Sequence, residues 1–236
     1  MTALLGELEA AGDPARFFLG TYLRTTVAVR AALDGGLFED PDWVAAWDAD
    51  FADLYLDALT AYRTAPSTVA RPWRRAFAAD PGLRPEAHVL LGMNAHINYD
   101  LPQSLIRMIP VEDFGDPDVV ALRHRDHVRI DRVLASRVAA EDVALQGAGG
   151  RRTRLDRAAA PVNRWASRLF LREARRRVWA TTTVLHAARC QGPACYAGRL
   201  SDLESGSAER IEDILRPGPV LLRLAVRGFG VTLPPR

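Results

Sequence analysis

Apolar residues recur at helical spacing between positions 43 and 62, and this periodicity is the feature that most constrains the fold. The apolar positions are Trp43, Trp47, Phe51, Leu54, Tyr55, Ala58, Leu59 and Tyr62. Intervals of three and four residues predict a helix with one buried face. The segment follows Asp40-Pro41, and an Asp before a first-turn proline is typical of a helix start. A long amphipathic helix is therefore expected from about residue 41.

The rest of the chain is also predicted to be helical. Asp13-Pro14 indicates the start of a helix, and Gly35-Gly36 indicates its end. We predict further helices over 71–79, 85–100, 118–138 and 161–189, two short helices near Ser201 and Ala208, and a last helix or strand over 220–226. Because no β-hairpin or strand–helix alternation occurs, the predicted fold class is all-α, a multi-helix bundle in a single domain.

Composition favours an ordinary cytoplasmic globular protein. Of 236 residues, 48% are hydrophobic and 25% are charged. The apolar runs fall short of the roughly 20 residues that a membrane helix needs, and Met1–Gly12 lacks the basic start of a secretory leader. All 31 basic residues are arginine and alanine is abundant, which indicates a high-GC bacterial source, such as an actinobacterium.

Net charge argues against nucleic acid as a partner. The 31 arginines face 29 carboxylates, and no known nucleic-acid-binding motif accompanies them. Arginine-rich stretches occur at 151–157 and 172–177. The first follows a glycine-rich stretch, and we interpret residues 147–157 as a flexible, solvated loop. Neither a glycine-rich phosphate loop nor a serine or cysteine nucleophile motif occurs, so no nucleotide cofactor is expected.

The main candidate site lies in the predicted 85–100 helix, which Leu101-Pro102 is expected to bend or end. His96 and Asp100 are four residues apart and share a face. They could bind one metal ion, act as a base and its orienting carboxylate, or hold the bundle in register. Two amides, Asn94 and Asn98, lie in the same segment, where an unpaired polar group would cost a few kcal/mol.

Tyr99 is a further candidate for contact with a substrate. Gly92, one turn before this cluster, is expected to allow a close helix crossing.

A second His/Asp pair occurs in the predicted 118–138 helix. His127 and Asp131 repeat the spacing of four, and His124 lies one turn earlier. Two such pairs on neighbouring helices could supply four ligands to a divalent zinc, iron or manganese ion. The heavily charged sequence from 123 to 129 is equally consistent with an exposed face.

Two smaller clusters complete the candidate residues. Arg172, Arg176 and Trp179 share a stripe of the predicted 161–189 helix and could bind a carboxylate or phosphate, or lie at the edge of the bundle. The spacing His-x3-Cys-x4-Cys is formed by His186, Cys190 and Cys195. It could form part of a zinc site, although we interpret the cysteines as reduced, structural thiols.

The segment from Ala95 to Leu101 resembles the domain-of-unknown-function family numbered 5995. The likeness extends to Phe51-Ala52-Asp53-Leu54-Tyr55 and Pro72-Trp73 and covers about residues 43–219. The resemblance implies a mostly helical protein whose characteristic polar residues are His96, Asn98 and Asp100. In the second helix the family resemblance implies an Asp, then an aromatic residue and further on an Asn, where this sequence has Asp126, His127 and Asp131. This departure makes Asp126 an alternative ligand to His127.

A weaker resemblance is to the zinc-dependent phospholipase C and single-strand nuclease proteins, which use His-x3-Asp pairs on successive helices. The first functional expectation is an enzyme of bacterial specialised metabolism, in which His96 and Asp100 perform acid/base chemistry on a small molecule. Elimination, cyclisation and hydrolysis are the reactions considered. The alternatives are a metal-dependent hydrolase and a non-catalytic helical module that binds a ligand or protein. A homodimer is left open.

Overall fold

The computed structural model describes the backbone of residues 1–149 and 154–216, and the side chains of residues 1–134 and 173–216. Within these ranges all regular structure is helical, which confirms the all-α prediction. The helices are α1 (Thr2–Ala10), α2 (Ala15–Asp34), α3 (Pro41–Thr64), α4 (Arg71–Phe77), α5 (Pro85–Ala95), α6 (Leu101–Met108), α7 (Pro117–Gly149), α8 (Arg154–Gln191) and α9 (Pro193–Leu215).

Capping residues set the ends of the early helices as their sequence indicates. The carboxylate of Asp40 accepts the Trp43 N–H at 3.0 Å, and that of Asp13 accepts the Ala15 N–H at 2.9 Å. At the end of α2, Gly36 has a φ of +70°, a left-handed conformation that favours glycine. The helix ends here because Leu37 N–H turns back to bond the carbonyl oxygen of Ala32.

Several predicted boundaries differ from the structure. The helix α1 was not expected, and α9 is one continuous helix, so the two short helices predicted near Ser201 and Ala208 are wrong. Polar and glycine residues weaken helix propensity there, but α9 buries a face that includes Leu203 and Ile211, and such packing outweighs propensity. The predicted loop at 147–157 overlaps the ends of α7 and α8, and residues 150–153 and 220–226 lie outside the described residues.

The segment from α5 to α6 lies at the centre of the bundle. It packs against α2, α3, α4, α7, α8 and α9. One apolar cluster on its flank contains Tyr55, Trp73 and Ile211. Another contains Trp47 and Val178. Polar side chains of this segment therefore project into the interior, which makes their hydrogen-bonding partners decisive.

Gly92 allows a close approach of α2 to α5, as its position in the sequence predicted. A Cβ at this position would lie 2.4 Å from Cγ of Phe18. Because that distance is far below van der Waals contact, only glycine fits without movement of the phenyl ring. The close approach brings Phe18 to within 5.9 Å of the His96 ring, measured between ring centroids.

Candidate functional site

A π-helical turn, His96–Asp100, joins α5 to α6. The backbone N–H of Leu101 donates to the carbonyl oxygen of His96, five residues back rather than four. Pro102 has no N–H and so gives no α-type bond to the carbonyl of Asn98, which favours this wider turn. The helical path therefore continues through Leu101-Pro102. Such single π turns occur frequently at functional sites.

His96 and Asp100 form a buried hydrogen-bonded pair in this turn. The Nδ1 atom of His96 lies 2.9 Å from Oδ2 of Asp100, and each residue is only 2% exposed. The same Oδ2 accepts the indole N–H of Trp73 on α4 at 2.8 Å. Three side chains, from α4 and the π turn, are thus connected through one carboxylate oxygen.

This connection assigns the tautomer of His96. The indole nitrogen of Trp73 can only donate, so Oδ2 of Asp100 acts as an acceptor. We therefore assign the proton of neutral His96 to Nδ1, which donates to the same oxygen. The other ring nitrogen, Nε2, is buried and has no hydrogen-bond partner within residues 1–134 and 173–216, whose side chains are described. Its lone pair is then free to accept a proton.

Aromatic rings enclose the imidazole of His96. Phe51 of α3 stacks on it with ring centroids 3.6 Å apart and planes 6° apart. Tyr22 lies edge-on at 4.6 Å, and Phe18 and Tyr55 lie farther out in similar edge-on orientations. An apolar enclosure of this kind disfavours charge on the imidazole unless a counter-charge is held beside it.

Burial and pairing oppose each other in the pKa values of the pair. Burial lowers the pKa of His96, while the hydrogen bond and charge of Asp100 raise it. Burial raises the pKa of the Asp100 carboxyl, against the hydrogen bonds from His96 and Trp73. For His96 the effect of burial prevails, so the neutral imidazole, the form that can act as a base, is favoured near neutral pH.

The two predicted amides are also buried beside this pair. Asn94 and Asn98 have both amide atoms buried, and none of these atoms has a hydrogen-bond partner among the described side chains and backbone. Each polar atom buried without a hydrogen bond costs about 1–3 kcal/mol of stability. A bound polar group would satisfy these amide atoms. Tyr99 is half-buried, and burial raises the pKa of its hydroxyl to about 12.

The second predicted pair does not join the first. His127 is buried, but Asp131 bonds instead to the guanidinium of Arg175, with Oδ1 and Nε 2.6 Å apart. Within the described residues, no group of three or more His, Cys, Asp and Glu side chains is close enough to hold a metal ion. The four predicted ligands His96, Asp100, His127 and Asp131 are therefore not assembled into one set.

The alternative ligand on α7, Asp126, is used by the backbone. Its two oxygens accept the N–H groups of Glu39 and Asp40 at 2.9 and 2.8 Å, and Arg129 donates to it at 2.7 Å. This fully buried carboxylate fixes the loop before α3. The other alternative, His124, is exposed at the surface and lies 4.7 Å from the Trp179 ring.

Two residues of the predicted arginine stripe on α8, Arg176 and Trp179, have different surroundings. Arg176 is exposed, with its NH1 3.8 Å from Oε2 of Glu173. Trp179 is half-buried and contacts the ring of His127. The side chain of Arg172 lies outside the described residues. Arg176 and Trp179 therefore face different surroundings, and the expected joint anion site is not formed by these two.

The cysteine cluster near the end of α8 contains free thiols. Cys190 is exposed, with its sulfur 3.6 Å from Nε2 of His186, and Cys195 is partly buried. The ring of His186 stacks on Phe114 at 4.0 Å. These residues are part of no metal-binding group in the described portion of the chain.

Sequence reasoning missed several residues that complete the site. Trp73 and Phe51 lie in segments that carry the family resemblance. That resemblance could have pointed to them, but it assigned neither residue a role. Tyr22 gave no signal. Asp48, half-buried on α3, has its carboxyl pKa raised to about 6 by burial, and its charge adds to the effect of burial in raising the pKa of Tyr22.

Comparison with known proteins identifies the family. Residues 1–217 match the model of the family of unknown function DUF5995. The chain therefore belongs to this family, and the match covers all but the last two residues of the region, about 43–219, that the sequence resemblance indicated. No curated protein and no solved structure matches the chain. In the described parts of the chain, no helix combines the length and apolar character needed to cross a membrane.

Proposed function

We propose that this protein is an enzyme that removes a proton from a small molecule, with Nε2 of His96 as the general base. The observation that carries the proposal is the pair itself. Nδ1 of His96 is held 2.9 Å from Asp100, whereas Nε2 is buried and unpartnered. A base whose far nitrogen is held by a carboxylate is the arrangement that general-base catalysis by histidine requires.

In the proposed reaction, Nε2 takes a proton from a carbon, oxygen or nitrogen of the substrate. The electron pair left behind either expels a leaving group to form a double bond, or attacks an electrophilic carbon of the same molecule and closes a ring as the leaving group on that carbon departs. The imidazolium that forms is stabilised by the carboxylate of Asp100, which stays hydrogen-bonded to Nδ1. Trp73 positions that carboxylate through its indole N–H. The proton later returns to product or solvent, so His96 is restored.

The surroundings of His96 define the substrate that would fit. Phe51, Tyr22 and Tyr55 provide apolar contact, which favours a molecule with an apolar or planar reacting part. The unpartnered amides of Asn94 and Asn98 favour one or two polar groups on the same molecule. We propose elimination or cyclisation, with hydrolysis as the further alternative.

The proposal includes the cellular setting predicted from the sequence. The enzyme is cytoplasmic, acts on a small molecule in bacterial, actinobacterial specialised metabolism, and has no nucleic-acid partner, as the near balance of 31 arginines and 29 carboxylates supports. Homodimerisation remains part of the proposal. If the enzyme instead depends on zinc, iron or manganese, Nε2 of His96 is the atom that would bind the metal ion.

A base-promoted elimination tests the proposal without knowledge of the natural substrate. The probe is 5-nitrobenzisoxazole, from which a base removes the C3 proton while the N–O bond breaks to give a coloured cyanophenolate. Wild-type protein is expected to accelerate this reaction, and His96→Gln to lower kcat/KM about 100-fold or more. The rate of the wild type is expected to rise with pH around a midpoint below 6.5, because burial lowers the pKa of His96.

Two variants give the test its specificity. Asp100→Asn should move the midpoint to lower pH, because the carboxylate raises the pKa of His96. His88→Gln is the matched control, since His88 is a buried histidine of the same helical segment that stacks on Phe17 instead. Equal rates for the wild type and His96→Gln, with both folded by circular dichroism, would contradict the proposal.

One observation favours the non-catalytic alternative. The hydrogen bonds from Trp73 and His96 to Asp100 tie α4 to the π turn, which is also what a structural network would do. The two roles predict different losses. If the pair is only structural, His96→Gln and Asp100→Asn both lose stability, and the wild type does not accelerate the probe reaction beyond His96→Gln. If His96 is the base, His96→Gln removes the acceleration and Asp100→Asn shifts the midpoint of the pH–rate profile in folded protein.

A further inference from the structure

The buried tryptophans differ in what their indole N–H groups bond. Trp43 donates to the carbonyl of Met108 at 3.0 Å, and Trp73 donates to Asp100 at 2.8 Å. Trp47, also buried on α3, has no hydrogen-bond partner for its Nε1 atom among the residues that the structure describes. An indole N–H in an apolar interior normally finds an acceptor. Trp47 is therefore the exception that needs an explanation.

A second group without partners lies beside it. His127 is 2% exposed, and neither of its ring nitrogens has a hydrogen-bond partner in the described part of the chain. Its ring centroid is 5.8 Å from that of Trp47 and 5.5 Å from that of Trp179. Trp179 in turn contacts the exposed His124 at 4.7 Å. The cluster of these four rings thus extends from the core to the surface.

The charges that act on His127 are positive. The buried guanidinium of Arg175 donates to the backbone carbonyl of His127 and bonds Asp131 through Nε. Burial is the largest cause of the lowered pKa of His127, and the charges of Arg175 and His124 lower it further. The nearby guanidinium of Arg175, although paired with Asp131, and the N–H donors of Trp47 and His127 favour an anionic acceptor.

We propose that Trp47 and His127 form a second binding site, separate from the His96–Asp100 pair, which takes the carboxylate group of a small organic acid. The two carboxylate oxygens would accept the N–H of Trp47 and the ring N–H of His127. The ring centroids of Trp47 and His127 are only 5.8 Å apart, which favours this compact group over a nucleotide. The inference is independent of the function proposed for His96.

The site differs from the metal set expected from the sequence. Asp131, the predicted partner of His127, is engaged by Arg175, so His127 faces tryptophan rings rather than a carboxylate. A neutral imidazole with a positive group nearby is poorly suited to a cation. The same features that argue against a cation there support an anion.

The experiment uses benzoate as the carboxylate probe and benzamide as its uncharged counterpart. Proton–nitrogen NMR follows the five indole N–H signals of the full chain during each titration, with assignment of Trp47 by Trp47→Phe. Benzoate is expected to move the Trp47 indole signal to higher frequency with saturation, as a new hydrogen bond requires. Benzamide is expected to bind at least about tenfold more weakly, because it lacks the charge.

Variants of the two proposed binding residues, and two control variants, complete the test. Trp47→Phe should weaken benzoate binding about tenfold or more, and so should His127→Phe, the second variant. Trp43→Phe is the matched control, because its indole stacks on Trp47 at 5.1 Å but already has an acceptor. It should bind benzoate within about twofold of the wild type, as should His96→Gln.

The possible results separate clearly. Saturable binding lost in Trp47→Phe and kept in Trp43→Phe and His96→Gln supports the second site. Absence of saturation by the wild type, or equal affinity of wild type and Trp47→Phe, overturns it. Binding that is lost in His96→Gln but kept in Trp47→Phe also overturns it, because benzoate then occupies the first site.

Discussion

At the scale of single residues, the buried histidines 96 and 127 differ in whether a carboxylate accompanies them. Asp100 partly offsets the effect of burial on the pKa of His96. His127 has no such compensation, and the charges of Arg175 and His124 act in the same direction as burial. Protonation of His127 in the folded state is therefore strongly disfavoured.

This difference predicts an acid-sensitive stability. The folded pKa of His127 lies well below 6.5, so below about pH 6.5 the unfolded chain binds a proton that the folded chain does not. Above that pH, His127 is neutral in both states and does not change the free energy of unfolding. As the pH falls below it, the free energy of unfolding decreases by about 1.4 kcal/mol per pH unit. Urea unfolding at about pH 7.5 and pH 5.5 should show this loss for the wild type and a smaller loss for His127→Phe.

The control for this prediction is His88→Gln. The pKa of His88 is lowered by burial, but the carbonyl of Pro81 and the charge of Asp80 oppose that effect. This variant should therefore remove a smaller part of the pH dependence. Identical pH dependence in His127→Phe and the wild type would show that His127 is not the group responsible.

At the scale of elements, the π turn determines how the candidate site is built. The bond from Leu101 N–H to the carbonyl of His96 widens the turn to more than four residues. Residues four positions apart, such as His96 and Asp100, then lie on nearly the same side of the helix axis. This geometry brings Nδ1 of His96 and Oδ2 of Asp100 into a 2.9 Å hydrogen bond inside one element.

The crossing of α2 and α5 gives the second prediction. Gly92→Ala would place a Cβ at 2.4 Å from Phe18 Cγ, so the ring or the helix must move. The expected loss of unfolding free energy is about 1–3 kcal/mol, because the site is overpacked. Chemical denaturation of the variant measures this loss.

The control is Gly198→Ala in the exposed part of α9. A Cβ there meets nothing within 4 Å. The higher helix propensity of alanine should leave stability unchanged or raise it by up to about 1 kcal/mol. A neutral or stabilising Gly92→Ala would mean that α2 and α5 do not cross as closely as described.

At the scale of the whole molecule, α9 closes the bundle. It packs on α4, α5 and α8, and its Ile211 lies fully buried in the cluster that contains Trp73 and Tyr55. Arg71 of α4 donates its backbone N–H to Glu204 of α9 at 2.8 Å. Elements distant in sequence thus depend on one shared core, as expected for a single domain.

This dependence predicts cooperative loss of structure. Ile211→Ala should lower the unfolding free energy by about 2–5 kcal/mol through the cavity it creates. Far-UV circular dichroism and tryptophan fluorescence should report one coincident transition. Leu215→Ala, at the exposed end of α9, should cost less than about 1 kcal/mol. Two separate transitions in the Ile211 variant would contradict the single-domain prediction.

The sequence by itself determined the features that depend on neighbours along one helix. The periodicity from Trp43, the cap at Asp40, the left-handed glycine at 36 and the pairing of His96 with Asp100 all follow from spacings of about four residues. Interactions at such short separations are fixed once a helix forms. The family match extends over the same region.

Only the tertiary structure decided which distant side chains meet. Trp73 bonds Asp100 from 27 positions away, and Arg175 engages Asp131 from 44 positions away. Those contacts depend on how helices cross, which no local pattern specifies. The same long-range packing completed the predicted pair at His96, and it left His127 among aromatic rings and positive charge instead of a second set of ligands.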